Sequence, residues 1–197
     1  TLQTPYEQAI LARGYAGGEV AFATVGGLAR RMCDLFWPLA AQVAGFTNPD
    51  QPPVFLTLET AQYYMAHLVR PKLDEGLFDS VTIDRNRLYS QILDNLNKSA
   101  LVGFDYREIA DRLSAAWTGD PAQRRIYADA QACATLFREY CLEHNLLDFS
   151  LQLDIFANIL WNDSSVRAYL TGSYRHLIYD NIEEDAPRAH DIIEEWL

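Results

Sequence analysis

The 197-residue chain has no apolar run near the roughly 18 residues that a membrane span needs. Its opening, TLQTPYEQAILARGYAGGEV, lacks the basic-then-apolar layout of a signal peptide. The first residue is not Met, so an internal piece of a longer protein is expected. Cysteine is scarce: Cys33, Cys133 and Cys141 are odd in number and show no CxxC spacing. That spacing argues against zinc and against a disulfide framework, and a cytoplasmic location is expected. Cys133 and Cys141, about two helical turns apart, suit two buried thiols on one helix face. Cations are outnumbered, 16 to 27, for a net charge of −11. Phosphate affinity comes chiefly from Lys and Arg, so an independent nucleic-acid module is disfavoured. No GxSxG, no HExxH and no metal-spaced cluster occurs among His67, His144, His176 and His190. No GxxxxGK followed by Ser or Thr occurs, so the sequence contains no phosphate loop of that kind.

What is present is mainly helical patterning. The loop GFTNPDQPP, residues 45–53, is the clearest break. Before it, Val20, Phe22 and Thr24 alternate with Ala21 and Ala23, Gly26 and Gly27 interrupt the run, and a helix is expected over 28–39. After it comes a short extended piece, then a helix capped by Thr57, with Ala61, Tyr64, Met65, Leu68 and Val69 at helical spacing. Further helices are expected over 85–97, 106–117 and 121–144. The last carries Ile126, Ala130, Cys133, Phe137, Tyr140 and Cys141 along one stripe. The strand pattern returns at 174–179. Asp185 is then placed to cap a final helix with Pro187 in its first turn and Ile192, Ile193 and Trp196 on its apolar face.

Three stretches could carry chemistry. YRHLIYD, residues 174–180, is a bulky apolar run closed by a carboxylate. In open α/β sheets the C-terminal end of a strand is a usual ligand site, and Asp180 there suits Mg²⁺. Equally, Asp180 could begin a turn within a solvated acidic run. Asp148 could cap a helix carrying Phe149, Leu153, Phe156 and Leu160 into the core. In FATVGGLARR, residues 22–31, Thr24 and the glycines could present a hydroxyl and backbone N–H groups to an anion, or form a tight turn.

Taken in order, these stretches resemble the region from about motif Ib through motif II of UvrD/Rep-type superfamily 1 DNA helicases. Leu147-Asp148-Phe149 matches the start of that family's LDFxDLL. Val166-Arg167 follows, then Tyr174 to Ile178, then Tyr179-Asp180-Asn181-Ile182-Glu183-Glu184-Asp185 against VDExQDT. Phe22 to Ala29 is similar to the family's TFHSLA, and residues 54–69 to the strand and helix that open its inserted helical subdomain. The resemblance implies a predominantly helical α/β protein: a partial parallel sheet of a RecA-like motor domain with a large helical insertion. It divides the chain into motor residues 1–56, helical subdomain 57–170 and motor residues 171–197. Strands at 20–24 and 175–179 would be neighbours in one parallel sheet. An exposed edge of that sheet would invite homodimerisation.

The resemblance also implies roles. Asp180 takes the Mg²⁺-coordinating position, Asn181 that of the catalytic glutamate, and Glu183 and Glu184 follow in the same motif. Thr24, Gly26 and Gly27 take the positions that contact single-stranded DNA. The family's phosphate loop and the arginine that reaches the γ-phosphate have no counterpart here. ATP and Mg²⁺ are therefore expected in the full-length parent and not in this chain alone, which is not expected to hydrolyse ATP. Asn181 cannot act as a general base, a loss that typically costs on the order of 10²–10⁴ in rate. Two readings follow: part of a UvrD-like ATP-dependent DNA translocase, or a catalytically degenerate helicase-derived scaffold that binds nucleotide or a partner protein.

Overall fold

A computed structural model describes residues 3–14 and 20–196. Ten α-helices are described: α1 (Gln3–Ala12), α2 (Val25–Leu35), α3 (Trp37–Ala40), α4 (Leu58–Asp74), α5 (Arg85–Val102), α6 (Ile109–Ala116), α7 (Gln123–Glu143), α8 (Phe149–Ile155), α9 (Ser164–Ser173) and α10 (Pro187–Trp196). No described helix is long and apolar enough to cross a membrane.

Local chemistry explains most boundaries. Thr24, Thr57, Asp84 and Asp148 each accept a hydrogen bond from a backbone N–H in the first turn of α2, α4, α5 and α8. This satisfies a donor that the helix start leaves without a partner. Gly103 ends α5 in the left-handed conformation, at φ 92°, which costs a residue without Cβ nothing. The single helix expected over 28–39 is broken at Phe36. Pro38 lacks the N–H that would continue α2, and a new turn begins at Trp37.

The strands differ from expectation. Residues 20–24 and 174–180 belong to no strand. The sheet is instead a two-stranded parallel pair, β1 (Val54–Phe55) beside β2 (Leu146–Leu147). The alternation at 20–24 and the apolar run at 174–179 make strand-prone chain. However, no described strand lies beside either to take its hydrogen bonds, and a ladder needs both partners. β1 and β2 meet because Val54 N–H donates to Asn145 O and Leu56 N–H to Leu147 O. Asn145 holds this junction, donating Nδ2 to the carbonyls of Asn48 and Gln51 in the 45–53 loop.

One hydrophobic cluster runs through the helices. Met32 of α2, Met65 of α4, Ile92 and Leu96 of α5, Phe137 and Cys141 of α7, and Leu153 of α8 are all buried within it. Cys133 and Cys141 share the inner face of α7. Burial pushes the Cys133 thiol up to about 12 and the Cys141 thiol higher still, so neither is a reactive thiolate. A single π-helical turn, Phe156–Leu160, continues α8. α10 packs on α5 and is pinned by Glu195, which accepts from Trp161 Nε1 and from Arg167.

Candidate functional site

The residues expected to contact single-stranded DNA form a helix start. Thr24 Oγ1 accepts from Gly27 N–H at 3.0 Å, so its lone pairs serve the first turn of α2. Gly26 is held by packing. A Cβ there would stand 2.7 Å from Phe149 Cε2, so the absent side chain makes room for that ring. Gly27 faces Thr24, with a Cβ position 3.3 Å from Thr24 Oγ1. Two stretches far apart in sequence, FATVGGLA and LLDF, thus meet at Gly26 and Phe149.

The acidic segment is open. Asp180, Asn181, Glu183 and Glu184 are all exposed. Asn181 has φ 56° and ψ 41°, the left-handed region, and is followed by a 3-10 turn over Ile182–Glu184. Asn visits that region far more readily than Glu, which gives a local reason for an amide here. His190 Nε2 donates to Ile182 O at 2.7 Å and so fastens the turn to α10. Asp185 is not the N-cap of α10. The first helical bonds return to Ala186 O, and Asp185 instead accepts from Ala186 N–H and from the Tyr179 hydroxyl. Burial and this contact with Asp185 raise the Tyr179 phenol to about 12.

No hydrogen bond or ion pair links Thr24, Gly26 or Gly27 to Asp180, Asn181, Glu183 or Glu184. The two regions are tied by Arg31 Nη1 donating to the Tyr174 hydroxyl at 2.9 Å. Among the described residues no group of three or more His, Cys, Asp or Glu side chains is placed to hold a metal ion. Asp180 is a single exposed carboxylate, a donor set that does not by itself fit Mg²⁺.

A second polar constellation went unread in the sequence. Arg138 Nη1 donates to Asp148 Oδ1 at 2.7 Å, and Nη2 to Ser150 Oγ at 2.7 Å. Ser150 Oγ donates onward to Asp148 Oδ2 at 2.6 Å, while Leu151 N–H donates to Asp148 Oδ1 at 3.1 Å. Arg138 and Asp148 are 1% and 2% exposed. Burial works against both charges. Yet the Arg138 charge and the hydrogen bonds hold the Asp148 carboxyl below its usual range, and Asp148 in turn keeps Arg138 fully protonated. Asp148 is thus both the cap of α8, as the pattern indicated, and the counter-ion of α7. The signal available was Arg138 sitting beside Phe137 on an otherwise apolar stripe. Asp154, on the same helix as Ser150, has its carboxyl raised to about 6 by burial, against the pull of Arg138.

Comparisons with profiles of known protein families, with curated proteins and with solved structures found no match.

Proposed function

We propose that this chain is the part of a UvrD/Rep-like DNA translocase that runs from motif Ib to motif II, and that it does not turn over ATP by itself. The observation that carries the reading is the meeting of Gly26 and Phe149, which joins two motif-like stretches more than a hundred residues apart in sequence. The helical block from α4 to α9, between segments 20–24 and 174–180, agrees with an inserted helical subdomain. In this reading the two segments are strands of a RecA-like parallel sheet that further strands of the parent complete. Their exposed side chains, among them Ile178 at 71% exposure, fit that role.

Asp180 then takes the metal position only together with groups outside this sequence. ATP and Mg²⁺, once bound, supply the phosphoryl group and the charge that neutralises it. This chain contributes one carboxylate and, at Asn181, an amide that can orient water but not accept its proton. Single-stranded DNA is the polymer partner in this reading. The exposed left-handed Asn181 favours a second reading, a degenerate scaffold that binds nucleotide or a partner protein without hydrolysis.

The test is DNA-stimulated ATP hydrolysis by the intact protein that carries this sequence. The translocase reading predicts slow turnover that single-stranded DNA raises and that Asp180→Ala abolishes. ATP binding without DNA-stimulated turnover would leave the scaffold reading in its place.

A further inference from the structure

The π-turn places Asn158 on the wall of a cavity of about 380 Å³, a volume that suits a small ligand. Single π-turns are frequent at functional sites because they re-aim one side chain. Five charged side chains share this wall: Asp105 and Arg107 before α6, Arg138 from α7, Asp154 from α8 and Arg188 from α10. Asp105 and Arg107 pair with each other at 3.0 Å in solvent. The other three are less complete. Arg138 spends Nη1 and Nη2 on Asp148 and Ser150, but its Nε–H is buried with no partner. Arg188 donates to Asn158 Oδ1, and its Nε–H is likewise buried with no partner. The Asp154 carboxyl makes no hydrogen bond within the described residues.

Arg188 packs close over Gly103. A Cβ on Gly103 would stand 3.3 Å from the Arg188 guanidinium carbon. A buried donor without a partner is unfavourable. Arg138, Arg188 and the unbonded acid line the one cavity.

We propose that this cavity binds a compact oxyanion, a phosphate group or a carboxylate, through Arg138, Arg188 and the side chain of Asp154. The inference is independent of the helicase reading. Guanidinium groups pair well with compact oxyanions. With Asp154 ionised, the arginines 107, 138 and 188 are balanced by Asp105, Asp148 and Asp154. With Asp154 protonated, the cluster carries one net positive charge and Asp154 becomes a third donor. The groups acting on Asp154 are Arg138, Asp148, Arg188 and Asp105, with Tyr106 and Arg107 on the same wall. Its raised titration, about 6, places this change near neutrality, so an anion binds more tightly as pH falls through that value.

Calorimetric titration of the chain with inorganic phosphate, and separately with acetate, at fixed ionic strength tests the proposal. Saturable binding of at least one anion is expected, and the tighter of the two identifies the ligand group. Arg188→Gln should weaken it about tenfold, the loss of one charged hydrogen bond. Asp154→Asn should tighten binding at pH 7.5 and flatten the fall in affinity above pH 6, a control that cancels the titration of phosphate itself. The absence of saturable heat with either anion would overturn the proposal, as would equal affinity in wild type and Arg188→Gln. Should Arg188→Gln fail to fold, an unchanged affinity and pH profile in Asp154→Asn overturns it instead.

Discussion

Arg138 Nη1 stands 2.7 Å from Asp148 Oδ1, with both side chains almost wholly withdrawn from solvent. This pair joins α7 to the start of α8, next to the β1–β2 ladder. A buried ion pair adds little net stability, but removing one partner strands a charge and costs about 3–5 kcal/mol. Asp148→Ala and Arg138→Ala should each lower the urea-unfolding free energy by that amount. Arg138→Met with Asp148→Leu should cost clearly less than the sum of the single changes. Additive losses would mean that the two groups are not coupled.

Thr24 works as a helix cap. Thr24→Ala should destabilise by about 1 kcal/mol, and Thr24→Asp should restore stability. A thermal melt reads both. Equal melting temperatures for Thr24→Ala and wild type would leave the hydroxyl free for another role.

Gly26 yields to Phe149. Alanine in a helix normally gains about 0.5–1 kcal/mol over glycine, but a Cβ here would stand 2.7 Å from the ring. Gly26→Ala should therefore lose stability in the wild-type background and gain about 0.5–1 kcal/mol once Phe149→Ala has removed the ring. The same gain in both backgrounds would show that the ring makes no demand on residue 26.

Asp154 gives the fold a pH dependence of defined sign. Its carboxyl moves from 3.8 to about 6 on folding, mainly through burial beside Arg138, Asp148, Arg188 and Asp105. The folded state therefore holds a proton that the unfolded state has released. Stability from this group is full below the unfolded value and is lost as pH rises through about 6. Asp154→Asn should stabilise the chain at pH 7.5 by about 1–3 kcal/mol and leave it little changed at pH 4. Denaturant unfolding at the two pH values decides the point.

The helical plan was legible because it depends on local signals. Thr57 and Asp148 mark their boundaries through caps that need only neighbouring residues, and the apolar stripes of α4 and α7 repeat at 3.6 residues, whereas α5 runs past the expected residue 97 to Val102 before Gly103 ends it. The strand assignments failed because a strand is defined by what lies beside it. Residues 174–179 have strand composition and no described neighbour strand, whereas Leu146–Leu147 pairs with Val54–Phe55 through only two residues on each side. Arg138 was hidden for a related reason. An arginine on an apolar stripe reads as surface until Asp148 is seen against it in three dimensions. Asp185 missed its assigned role by one position, because Pro187 fixed the helix start and left Ala186 as the cap.

Asn181 bears most directly on the proposed reading, a helicase-like motor with a weakened hydrolytic position. The measurement is single-stranded-DNA-stimulated ATP turnover by the intact protein, wild type against Asn181→Glu. If residue 181 stands where the attacking water must lose its proton, the glutamate should raise turnover by on the order of 10²-fold. That gain should appear even though the left-handed backbone at 181 costs glutamate about 1–2 kcal/mol. Turnover unchanged in Asn181→Glu, with folding and nucleotide affinity intact, would contradict the account.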